Sequence, residues 1–509
     1  MILIWMIITP AIGGIAAWII GHRSTLGARI AALSAAFAYF AIALYLWFIS
    51  PRLLSMGTRF HNHTVPSVFV DFNVPWIPQI GVSFHLAIDG LSLMLILLTS
   101  IIGVIAVLCS WREITVRVGD FHLALMILLS AIIGAFLAFD LLLFYLFWEL
   151  MLVPLYFLIS IWGHENRRYA AIKLMLFTLT GGFLLLLGII GLYIIHGLNT
   201  GTYTFDYPAL LGTKMPLHTA WWLMLGFFVG LAVKLPIVPL HTWLPDAHTE
   251  APTAGSLDLA GLLLKVGAYG LMRFSIPLFP LVSARLSPIA MMLGVAGIVY
   301  GAMLAYPQRD FKRLVAYTSI SHMGFILLGI YAGTQLALQG ALIEILAHGI
   351  STGALFLIAG MIQERTYTRE LWRLGGLWST TPKLGAFTLY FALAALGLPG
   401  LANFVGEFLV LLGTFSVAPV LASVGAIGFV LSVIYALRLV QESMHGPNTS
   451  EWRLPDLSVR ETAILGSMAA IILWLGLNPQ PVFDTASKAL APIQHALHRA
   501  EVKEGTELR

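Results

Sequence analysis

Apolar residues run through this chain in blocks of about twenty, parted by short polar breaks, and a block of that length crosses a hydrocarbon core of about 30 Å as one helix. Fourteen such segments are expected, at 2–21, 31–50, 88–110, 121–139, 141–162, 172–195, 220–244, 253–275, 286–306, 312–332, 336–362, 384–412, 418–440 and 462–478. The pattern predicts an all-α polytopic membrane protein. One connection, 51–87, is long enough to fold by itself. In it VFVDFNV and IGVSFHL alternate apolar and polar positions around PWIPQ, which reads as an outer β-hairpin near 66–87.

Composition agrees with that reading: 59% of the 509 residues are hydrophobic and 10% charged, against roughly 25% charged in a soluble protein. The first segment, MILIWMIITPAIGGIAAWII, has no basic region before it and no small-residue cleavage site after it, so it is expected to stay as a span. Lysine and arginine set the orientation. Counting those at span ends with the loop they adjoin, connections after odd-numbered spans hold 17 and those after even-numbered spans hold 5. The odd loops are then cytoplasmic and both termini periplasmic. The net charge of +4 reflects this topology, so no nucleic-acid partner is expected. The single cysteine, Cys109, lies in an apolar run, which excludes an internal disulfide or a thiolate-held cluster within this chain.

Two spans are interrupted. Pro236, Pro239 and Pro245 fall in the seventh, and Gly397, Pro399 and Gly400 in the twelfth. Proline removes a backbone donor and clashes with the carbonyl four residues back, so each helix should break. Broken helices are tolerated in a membrane only where protein or water satisfies the freed groups. The breaks are five spans apart, and an odd count reverses orientation, so a repeat with this period is inverted. The chain then divides into 1–120 (three helices and the hairpin), 121–275 (a first five-helix repeat, broken near 234–245), 286–440 (a second, broken near 397–403) and 441–509 (a loop, helix fourteen and a tail).

Four charges lie where charge is expensive, at least about 2.5–3.5 kcal/mol each at a helix centre. Glu149 sits in FYLFWELMLVPLYFLI, nine residues past Asp140; Lys234 stands at the first break; Lys265 lies midway between Asp258 and Arg273; Glu407 is the only charged residue from Leu384 to Leu437. The plainer alternatives are snorkelling and a structural ion pair. Snorkelling suits a lysine near a helix end, whereas Lys265 is about two turns from either flanking charge and glutamate has a short stem. A Glu149–Lys234 pair without transport is a sound structural option. Histidines supply a second set: His241, His248, His322 and His348, the last four residues after Glu344 and therefore on the same helix face, where the carboxylate could support its charge. They lack an H-E-x-x-H spacing or a cysteine partner, so no metal is expected; imidazoles among buried lysines suit a proton relay.

The stretches PWIPQIGVSFHLAIDGLSL, FYLFWELMLVPLYFLI, VKLPIVPLHTWLPDAHTEAPTAGS, KRLVAYTSISHMGF and GLPGLANFVGEF resemble the antiporter-like subunits of respiratory complex I, NADH:quinone oxidoreductase, over nearly the whole chain. Within that family Glu407, where the L and N types usually carry lysine, and a chain ending some 30 residues after span fourteen without a long lateral helix match the M type. The resemblance implies fourteen helices with two inverted repeats, each a half-channel in a bacterial inner membrane. It further implies that Glu149 and Lys234 pair in the first half-channel, that Lys265 is the central lysine and that Glu407 leads to the second. His241, His322 and His348 match relay positions, and Glu344 departs from an expected neutral residue. Proton pumping would draw on quinone reduction elsewhere. NADH, FMN, iron-sulfur clusters and quinone then belong to partner subunits, L-type and N-type neighbours adjoin, and this chain holds no redox centre. A competing reading is the D-type subunit of a multisubunit sodium/proton antiporter. A passive scaffold is a third, disfavoured because apolar residues would stabilise one better than four buried charges.

Overall fold

The computed structural model describes residues 1–55, 68–448 and 450–507, with side chains of 51–55 and 498–507 left aside. Residues 66 and 67 of the expected hairpin, and 449 and 508–509 of the last region, lie outside the described residues. Among the described residues, 13 helices are long and apolar enough to cross a membrane. The twelfth expected span does not count among them because it forms two helices, Pro382–Ala395 and Ala402–Phe415, of 14 residues each. That pair is the fourteenth crossing.

Both breaks fall where the prolines and glycines place them. Helix Leu217–Lys234 stops before Pro236, and the chain becomes helical again at Trp243–Glu250. The carbonyl of Val233, released by the break, accepts a hydrogen bond from the Trp243 indole at 2.9 Å. In the second break Gly397 and Gly400 take φ of 80° and 96°, and the Ser432 hydroxyl donates to the Leu396 carbonyl at 3.1 Å. Each interruption is thus closed by a side-chain donor from the protein. A third irregularity follows the same rule: Pro154 cannot donate to Leu150, and the span Leu141–Trp162 divides at Met151, just past Glu149.

Burial sorts the helices. Thr253–Leu278 and Gln335–Thr366 are buried throughout their apolar stretches and Phe311–Ala332 almost so, whereas Arg167–Thr200 and Pro419–Ser443 turn most of their surface outward. The first group carries Lys265, Glu344, His348 and His322. The polar residues therefore lie on the three innermost helices, where hydrocarbon cannot reach them.

The hairpin forms, with β1 (Val70–Ile77) and β2 (Val82–Ile88) antiparallel and Val70 opposite Ile88. Strand β1 runs on through Pro75, and the turn falls at Pro78–Ile80, later than the alternation suggested. In a two-stranded ribbon Pro75 sits on an edge and its missing donor costs nothing. His85 holds the ribbon down: Nε2 bonds Asp71 at 2.8 Å and Nδ1 bonds Asp206. Burial opposes the imidazolium, but the bonds to Asp206 and Asp71 override it and raise its pKa from 6.5 to about 9. A raised folded pKa gives attachment that is complete below the ordinary histidine value and lost as pH climbs through about 9. Amide protection at Phe72 and Val74, taken as the exchange rate relative to the unprotected rate at each pH, should fall over that range, and His85→Phe should abolish that fall.

The tail is a helix, Gln480–Glu507. Val482, Ala486, Ala489, Leu490, Ile493 and Leu497 are buried at helical spacing against Gly90–Glu113, Pro280–Ala305 and Gln335–Thr366.

Candidate functional site

Glu149 lies nine residues, about 13 Å of helix, beyond the Asp140 carboxylate that caps its helix, which puts it near mid-membrane. It is half-buried. One carboxylate oxygen, Oε1, is enclosed without a partner and fits against Gly182, where a Cβ would come within 1.9 Å of it. Lys234 is fully buried at the end of its helix. Its ammonium stands 3.5 Å from the centroid of the Trp148 ring and donates to the Trp148 carbonyl at 3.2 Å. Glu149 and Lys234 act on each other electrostatically through space, without a direct ion-pair contact. The indole, whose face attracts cations, stands in for a contacting carboxylate.

Lys265 lies on one of the two fully buried helices, between two π-helical turns, Leu259–Leu263 and Leu271–Ser275. Such turns widen the helix and free a carbonyl. The Lys265 ammonium uses one, the Ala260 carbonyl, and also bonds His348 Nδ1 at 2.6 Å. Gly267, two residues on, lets this helix close on the first break, since a Cβ there would come within 2.8 Å of the Leu235 nitrogen. The backbones bearing Lys234 and Lys265 are therefore in contact.

From His348 the line continues. Its ring centroid is 5.3 Å from that of His322, and both Nε2 atoms are buried without partners. His322 Nδ1 lies 2.9 Å from a Glu407 oxygen and 3.1 Å from a Glu344 oxygen, and the Asn403 amide donates to Glu344 at 3.3 Å. This corrects the helix-face argument for Glu344, whose carboxylate bonds His322 across the helix interface in place of His348 on its own helix. One imidazole and two carboxylates lie within 4.8 Å of one another, enough to suggest a metal. However, Nδ1 sits at hydrogen-bonding distance from both acids, whereas zinc ligands each lie about 2.0–2.2 Å from the ion and do not bond one another. The geometry is that of shared protons.

The other two histidines stand apart. His241 packs edge-on to Tyr300, with Nδ1 unpartnered. His248 is fully buried, stacked on Phe356 at 4.5 Å, with neither ring nitrogen bonded. Residues missed by the sequence reading include Trp148, Asn403 and Asp258, the last buried with both oxygens unpartnered. Asn403 was findable, four residues before Glu407 on one face. The cation–aromatic contact of Trp148 had no signal beyond adjacency.

Fold and site together define a membrane protein with a buried lysine–histidine–carboxylate line beside broken helices. A profile of the family described as NADH:quinone oxidoreductase/Mrp antiporter, TM, matches residues 138–434, and the chain belongs to that family. It is 48% identical over 506 residues, 98% of this chain and 99% of the other, to NADH-quinone oxidoreductase subunit M of Pseudomonas aeruginosa. Among solved structures it matches a chain of respiratory complex I from Thermus thermophilus with a TM-score of 0.85 and 32% identity, covering 98% of this chain and 99% of that one. The Mrp complex from Dietzia sp. DQ12-45-1b shares the fold alone, at a TM-score of 0.78 and 24% identity over 96% of this chain and 52% of that one.

Proposed function

We propose that this chain is the M-type proton-translocating subunit of an NADH:quinone oxidoreductase, set between L-type and N-type neighbours in a bacterial inner membrane with both termini periplasmic. One observation carries the reading: Lys265, His348, His322 and Glu344 on the innermost helices, and Glu407 on the second half of the broken span, stand in one buried line. Protons pass along it between two half-channels formed by the inverted repeats, with water joining the unpartnered His348 and His322 Nε2 atoms. Glu149 and Lys234 feed the line from one end, and His241 and His248 lie on its approaches. NADH, FMN, iron-sulfur clusters and quinone belong to partner subunits. Moving one charge against 100 mV takes about 2.3 kcal/mol, which must come from those partners. Glu149, half-buried among the outward-facing Leu146, Leu150 and Val153, is where a neighbouring subunit would act.

The test is NADH-driven proton uptake in membrane vesicles, with assembly checked on a native gel. Lys234→Ala is expected to lower uptake several-fold in an assembled complex, independently of sodium. Unchanged uptake would end the relay reading. A sodium requirement would favour the antiporter instead.

A further inference from the structure

Helices Thr25–Ser55, Gly90–Glu113 and Val459–Leu477 enclose a groove of about 810 Å³, within the range of pockets that bury most of a small ligand. Its walls are apolar but for Ser467 and Arg460. The serine is already satisfied, since its hydroxyl donates to the Ile464 carbonyl at 2.8 Å. Arg460 is not: its Nε and Nη1 are enclosed and have no partner. Of the acids around it, Glu461 is held by Arg365 at 2.8 Å and by Ser458, and Glu364 acts on it only at a distance, as does the like charge of Arg112.

The groove follows one face of helix Val459–Leu477, from Arg460 in the first turn through Ile464 and Ile471 to Trp474. That is a run of about 21 Å. Phe37 and Trp474 on its rim are 49% and 39% exposed, so it opens outward toward hydrocarbon. A cation at one end, at headgroup depth, and an apolar trough below it match the shape and polarity of one amphiphile. We propose that this groove binds a glycerophospholipid, its phosphate on the Arg460 guanidinium and an acyl chain along the trough. A guanidinium attracts a phosphate by charge-assisted hydrogen bonding, and the leaflet always supplies that partner at this depth. A transmembrane helix of a neighbour would have to bring an acid to the same point. The nearby Glu364 and Glu461 disfavour headgroups of higher negative charge. Leu346 and Ile350 also line the trough; they flank His348, so the bound chain braces the relay helix from outside.

The experiment uses the assembled complex in vesicles with two photoreactive probes that share one diazirine-bearing tail, a phosphatidylethanolamine and a diacylglycerol. One charge-assisted hydrogen bond corresponds to about tenfold in occupancy. Labelling of Met94, Ile101 and Ile464 by the phospholipid should exceed that by the diacylglycerol by about this factor, and Arg460→Gln should bring the ratio near one. The outward-facing Leu176 and Leu187 should show no preference in either protein. Equal labelling of the groove by both probes in the wild type would overturn the proposal, as would a groove labelled by neither because protein covers it. The wild-type comparison decides the matter even if Arg460→Gln fails to assemble.

Discussion

Lys265→Met should reduce NADH-driven proton uptake to a residual level while the complex still assembles, and Lys265→Arg should fail to restore it. The Lys265 ammonium has two partners, the Ala260 carbonyl and His348 Nδ1, and no carboxylate. With methionine there, a proton must cross the same apolar interior without a site, which costs at least about 2.5–3.5 kcal/mol and slows transfer roughly a hundredfold. Arginine separates the two roles a buried cation can have. It keeps the charge but cannot release a proton, so a structural cation would be rescued and a relay would not. Recovery of uptake in Lys265→Arg would show that charge alone matters at this position.

The span count, the two breaks and the hairpin were legible because each rests on a local rule: apolar length, missing backbone donors at Pro236 and Pro399, and strict alternation around Phe72 and Phe84. The four buried charges were legible for a similar reason, since a charge within an apolar run is anomalous without any knowledge of its neighbours. What surrounds them was not. Helical spacing placed Glu344 beside His348, but the carboxylate turns to His322 because the helices bearing Glu344 and His322 pack against each other there. The proximity of Glu149 and Lys234 gave no hint that the Trp148 ring would lie under the ammonium. The π turns around Lys265 lie on a helix buried on every side, and nothing in its apolar run marks them. The tail helix, by contrast, could have been read from Val482, Ala486, Ala489, Ile493 and Leu497, which recur at helical spacing.

The bonds of His322 to both acids lead to the second large effect. Glu407→Gln and Glu344→Gln alone should each retain part of the pumping, and Glu407→Asp most of it, whereas the double substitution should lose it almost entirely. In either single variant His322, when it takes up a proton, keeps one carboxylate at 2.9 or 3.1 Å. In the double variant it has none, and a buried charge left uncompensated costs about 3–5 kcal/mol. The two losses should therefore exceed additivity, by a coupling of about 0.5–3 kcal/mol for groups that share a partner. The check is a double-mutant cycle on NADH-driven uptake, with quinone reduction measured alongside. Additive losses would mean that the two acids serve different steps, with Glu407 alone ending the line and Glu344 only packing beside it.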